Sequence, residues 1–112
     1  MSTKEHRVDF GKMLREAYAR ALGGTQEDAK VYFQPPEKTK MVYPCIKYQR
    51  NNLYYLYADN KPYMNEDRYQ VTVISSDPDC PLVREVSMLP YTSYDRQYIG
   101  DGLYHDVFEI YY

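Results

Sequence analysis

The chain has 112 residues, with 14 Lys/Arg against 16 Asp/Glu, a formal net charge of −2, 15 tyrosines and no tryptophan. That length accommodates one core, so a single domain over residues 1–112 is expected. The charge excludes a general attraction to nucleic acid or anionic membrane. No apolar run approaches spanning length, and "MSTKEHRVDF" has no apolar signal core, so a cytosolic product is expected.

In chain order, Phe10, Met13, Leu14, Ala17, Tyr18 and Ala21 recur at helical spacing. Asp9 is placed to cap this first helix and Gly23-Gly24 to stop it. "KVYF", Lys30 to Phe33, predicts a short strand closed by Pro35-Pro36. "MVYPCIKYQ", Met41 to Gln49, predicts a second, in which Pro44 lacks an amide and requires an edge or a bulge. From Arg50 to Asn65 the signals mix: "NLYYLY" suits a strand and "ADNKPYMNE" is turn chemistry. "DRYQVTVIS" alternates Tyr69, Val71 and Val73 against Gln70, Thr72 and Ile74, a strand with one face more buried.

Asp77-Pro78-Asp79 breaks that strand, and Pro81 opens a second helix with Leu82, Val86 and Leu89 on one stripe and Val83 beside it, ending at Pro90. "YTSYDRQYI" and "LYHDVFEIYY" predict two more strands joined through Gly100-Asp101-Gly102. The expected fold is α+β: a mainly antiparallel sheet of four to five strands with two helices on one face.

Chemistry is sparse. The sequence has no nucleophile elbow, metalloprotease helix, P-loop or dinucleotide glycine pattern. His105 with Asp106 offers a base and an orienter and Cys45 a nucleophile, but an enzyme would need one pocket holding His105 and Cys45 together. Asp77/Asp79 and Asp95/Asp101 are acidic pairs that suit a hard cation, although at a helix start capping is the better use for Asp77 and Asp79. Cys45 and Cys80 lie far apart and are expected as free thiols; with two histidines in the chain, neither a metal site nor a cofactor is expected. Lys38, Lys40, Lys47 and Arg50, interleaved with Tyr43 and Tyr48, form the one patch resembling a nucleic-acid surface, with a solvated or subunit-facing strand as the alternative.

Two features point to association. Residues 1–50 carry ten Lys/Arg and six Asp/Glu, and residues 51–112 carry four and ten, so the halves stand at +4 and −6. Such polarity suits head-to-tail contacts between copies. Leu53, Tyr54, Tyr55, Leu56 and Tyr57 in succession cannot all face one small core, and tyrosine is an interface residue. Arg50–Glu66 is therefore expected to be mobile in an isolated subunit and ordered in an assembly.

"VYFQPPEKTKMVYPCIKY", "YADNKPY", "RYQVTVISSDPD", "LPYTSYDRQY" and "LYHDVFEIYY" resemble the tail-terminator, or tail-completion, proteins of long-tailed bacteriophages. The similarity runs from Val31 to Tyr112. It implies an α+β fold and a homo-oligomeric ring, a hexamer, at the head-proximal end of the tail tube. The ring would stop tube polymerisation and join the tail to the head connector. Implied partners are the tail-tube and head–tail connector proteins, with DNA only as the genome passing through the lumen, and with no membrane, cofactor or enzymatic activity. The implied location is the virion, after assembly in the host cytoplasm. Candidate subunit or tube contacts are Tyr54, Tyr55, Tyr57, Lys61, Tyr63, Lys38 and Lys40. Lys61, Pro62 and Tyr63 would lie in a loop facing the tube, the lumen or a neighbouring subunit. A head-side connector or stopper ring, and a small nucleic-acid-binding module, remain the alternatives.

Overall fold

The computed structural model describes residues 3–36, 39–54, 57–58, 61–62 and 66–112, with the backbone alone described for 3, 51–54, 57–58, 61–62 and 66. The elements in order are α1 (Thr3–Leu22), β1 (Val31–Phe33), β2 (Cys45–Tyr54), β3 (Tyr57–Ala58), β4 (Lys61–Pro62), β5 (Glu66–Ser75), α2 (Pro81–Ser87), β6 (Thr92–Gly100) and β7 (Leu103–Tyr111). Five strands form one sheet in the order β1-β2-β5-β7-β6, and β3 pairs with β4 in a small separate ladder. All neighbours in the large sheet are antiparallel except β1 and β2. The fold is α+β, with a mostly antiparallel sheet.

Alternation sets the two faces of the sheet. Ile46 and Tyr48 of β2, Tyr69, Val71 and Val73 of β5, and Phe108 and Ile110 of β7 point inward, in register across the sheet. Phe10, Leu14 and Ala17 of α1 and Leu82 and Val86 of α2 cover them, so both helices lie on this one face. The outer face carries a short buried row, Cys45, Ile74 and Val107, among polar and aromatic neighbours.

Chain order divides the sheet into two hairpin-like halves, β2 with β5 and β6 with β7, which meet along the β5–β7 seam. Phe10 lies over the inner face, its ring stacked on Tyr69 at 4.3 Å and within 5.7 Å of Tyr48 and 5.1 Å of Tyr112. Gly11 lets the helix approach this closely: a Cβ built there would lie 2.5 Å from the Tyr48 hydroxyl.

Several local expectations differ from the structure. α1 begins at Thr3, so Asp9 is not its cap but sits within the helix, where its carboxylate accepts a hydrogen bond from the Tyr112 hydroxyl. The apolar periodicity that starts at Phe10 marks the buried part of a helix whose first turns are solvent-facing and polar. β2 starts at Cys45, leaving Met41 to Pro44 outside it, and Pro44 follows a cis peptide bond just before a strand that is interior to the sheet. Asp77 does not cap α2. Its carboxylate closes its own turn on the Asp79 amide (2.9 Å), while the capping position is Cys80, with no side-chain cap.

Other expectations match. Pro81 opens α2, and Leu82, Val86 and Leu89 are buried with Val83 partly so. The β6–β7 turn is the pair Asp101 and Gly102, at φ 53° and 75°, between the paired Gly100 and Leu103. Two left-handed residues in a two-residue loop give the turn whose twist matches flanking strands. Cys45 and Cys80 are both buried free thiols.

Candidate interaction surfaces

Three of the tyrosines are core residues. Tyr69 is fully buried and Tyr48 and Tyr18 nearly so, each with its hydroxyl engaged. Tyr69 donates to Asp67 at 3.3 Å, which also pairs with Arg50 at 3.3 Å, and Tyr18 donates to the Pro44 carbonyl at 2.8 Å. Burial raises all three phenol pKa values, opposed at Tyr48 by Arg7 and Arg15 and at Tyr69 by Arg50. The Tyr18 acceptor lies 26 residues away in sequence, whereas that of Tyr69 is two residues away on its own strand.

The basic run is correspondingly dispersed. Arg50 is taken up by Asp67 and lies 6.0 Å from the Tyr69 ring centre, and Tyr48 is in the core. Lys47 lies on the outer face, and Lys38 is outside the described residues. Lys40 is exposed beside Val42 and Tyr43, which are 56% and 42% exposed. Tyr54 ends β2, Tyr57 begins β3 and Lys61 begins β4, but their side chains are outside what is described. Tyr55 and Tyr63 lie outside the described residues altogether, as does the part of the 50–66 stretch around them.

The enzyme alternative can be placed geometrically. Cys45 and His105 both pair with Ile74, one from β2 and one from β7, so they stand two strand spacings apart with Ile74 between them. Two spacings are about 9–10 Å, beyond reach for proton transfer. Burial pushes the Cys45 thiol up to about 12, the opposite of an activated nucleophile. His105 instead stacks on Tyr98 at 4.6 Å, and its Nδ1 lies 3.1 Å from the Leu103 carbonyl. Asp106 faces the other side of the sheet, where it accepts from Tyr94 (2.8 Å) and Gln97 (3.0 Å). Asp95 of the Asp95/Asp101 pair contacts the adjacent Arg96 at 2.6 Å. Among the described residues no group of three His, Cys, Asp or Glu is disposed to hold a metal, and no helix is long and apolar enough to cross a membrane.

A surface that sequence reasoning missed is β6. Strand order makes it one edge of the sheet, and its seven central residues, Ser93 to Ile99, are all exposed. Five large apolar or aromatic side chains gather on it and just before it: Met88 and Tyr91 at 74% exposure, Ile99 at 68%, Tyr94 at 52% and Tyr98 at 44%. Tyr91 has a left-handed backbone, φ 57°, uncommon for an aromatic residue. Asp95 and Arg96 in mid-strand, with a register shift between Tyr94 and Arg96, are the sequence signal of an edge. The opposite edge differs. Val31 of β1 is occupied on its outer side, its amide on the Ala29 carbonyl and its own carbonyl on Arg15.

No protein-family model, curated protein or solved structure matches this chain.

Proposed function

We propose that this protein is a ring-forming phage virion component that caps the head-proximal end of the tail tube, stops its polymerisation and joins it to the head connector. The observation that carries this reading is the distribution of unlike surfaces. The β1–β2 side of the sheet carries Lys30, Lys40 and Lys47 with exposed Val42 and Tyr43, whereas the β6–β7 side carries Asp95, Asp101 and Glu109 with exposed tyrosines. Unlike patches on opposite sides of one subunit favour heterologous, head-to-tail contacts, which close into rings when the rotation permits. The sequence resemblance suggests the hexamer and the tail, and the tyrosine-rich sequence from Leu53 to Tyr63 is the candidate for a second set of contacts.

Such a ring acts by matching and mismatching. A tube of identical rings ends in a face that accepts another ring, so growth continues until a subunit with a compatible lower face and an unlike upper face occupies it. No bond is made or broken, and no cofactor is required. The test is removal of the gene: full heads and separate tails of uncontrolled length are expected. Tails of normal length that fail to join heads would identify the head-side connector reading instead. Virions with tails of fixed length, assembled normally without the protein, would overturn both.

A further inference from the structure

Two unmet requirements lie on opposite sides of the molecule. The first is the open β6 edge. The Tyr111 amide donates to the Tyr91 carbonyl at 3.2 Å, and alternation along an antiparallel ladder then turns the backbone groups of Thr92 and Tyr94 away from β7. Among the described residues nothing pairs with that side of the strand. The second is the segment Thr39–Tyr43. Its sequence, "TKMVY", suits a strand, yet it forms none, and most of it is exposed. The Val42 amide ties it to the Tyr32 hydroxyl at 3.1 Å and the Thr39 amide to Pro36, while the Met41 and Tyr43 amides find no backbone partner among the described residues.

We propose that Thr39–Tyr43 of a second copy of this chain adds to β6 as a sixth strand of the sheet. Taken up as an extended strand, the segment would present the Met41 and Tyr43 amides on one side, as β6 presents those of Thr92 and Tyr94, so the two repeats would match. The charges are complementary: Lys40 comes from a side with Lys30 and Lys47, and it meets an edge bearing Asp95 and Asp101. Among the described residues Asp95 pairs with its exposed neighbour Arg96, a pairing that exchanges readily for an incoming lysine. The contact also covers exposed Val42 and Tyr43 beside exposed Tyr94. Strand addition of this kind draws affinity from the main chain and specificity from the side chains. Because donor and acceptor lie on opposite sides of the sheet, the contact is heterologous and repeats from copy to copy.

This inference names the subunit contact of the proposed ring and rests on that reading for closure, though not for the contact itself. The test is the mass of the purified full chain by light scattering across concentration, for wild type, Lys40→Glu, Asp95→Lys and the double variant. Both positions are exposed, and a melting curve verifies folding. Each single reversal is expected to weaken association by about tenfold or more, and the double variant to recover it. In the assembled wild type, exchange at the Thr92 and Tyr94 amides should slow at least about tenfold relative to the dilute subunit. Single reversals that leave the mass unchanged, a double variant no better than the singles, unprotected Thr92 and Tyr94 in the assembly, or a wild type that stays monomeric when concentrated would each overturn the contact. Protein that assembles in this way yet leaves tails uncapped counts against the tail reading alone. Single-reversal variants that still cap tails as intact rings count against the contact alone.

Discussion

The tyrosines divide by what their hydroxyls reach. Tyr94 keeps its ring half in solvent but turns its hydroxyl onto Asp106, and the sheltered hydroxyl together with that carboxylate pushes its pKa up to about 12. Tyr112 is raised to about 12 as well, first by its bond to Asp9 and then by burial. In both cases the fold favours the neutral phenol, whose ordinary value is 10.0. Their contribution to stability is therefore complete below pH 10 and is lost as pH rises through about 12. A spectrophotometric titration of the folded protein should show a distinct late group ionising near 12. Asp106→Asn should move part of the late group downward. One uniform transition of all 15 tyrosines at the ordinary value would contradict these bonds.

At the scale of elements, the close approach of α1 to β2 depends on Gly11. Alanine is the better helix former by about 1 kcal/mol, so an exposed glycine at this position would be improved by the change. Here the new methyl would lie 2.5 Å from the hydroxyl of a buried tyrosine confined between Phe10 and Phe33. Overpacking of about 1–3 kcal/mol exceeds the gain in propensity. Gly11→Ala should lower the unfolding free energy by about 1–2 kcal/mol in a denaturant titration. A Gly11→Ala protein more stable than wild type would show that Tyr48 has room to withdraw.

Legibility follows the same division between local and tertiary causes. α2 and the β6–β7 turn could be read because Pro81, the Leu82–Val86–Leu89 stripe and Gly100-Asp101-Gly102 act within a few residues of themselves. The parallel pairing of β1 with β2 could not, since it depends on how a long connection returns. Nor could the burial of Tyr48, whose surroundings are assembled from α1 and neighbouring strands, whereas Tyr69 reads as inward from its alternation with Val71 and Val73. Lys40, read as part of a basic patch or a solvated or subunit-facing strand, is exposed but lies outside any strand. β6 was missed because sequence order does not reveal which strand is left at an edge, although Asp95-Arg96 inside an otherwise strand-like run was a usable sign.

At the scale of the whole molecule, the β5–β7 seam has a consequence in time. Each hairpin-like half can form from segments close in sequence, but the seam joins residues separated by all of α2 and β6. Closing that loop costs entropy before the burial of Val71 against Phe108 repays it, so the seam is the natural barrier to folding. β1 is only three residues long and lies at the rim beyond β2, so it should dock after the barrier is crossed. Val71→Ala should then chiefly slow refolding, whereas Val31→Ala should chiefly hasten unfolding, as separate arms of a chevron plot would record. The reverse pattern would move the nucleus to the rim. With the seam rate-limiting, a nascent subunit would hold its two halves apart for a time, each with an open edge at β5 or β7, and any second chain arriving in that interval would find a strand to pair with that the finished fold conceals.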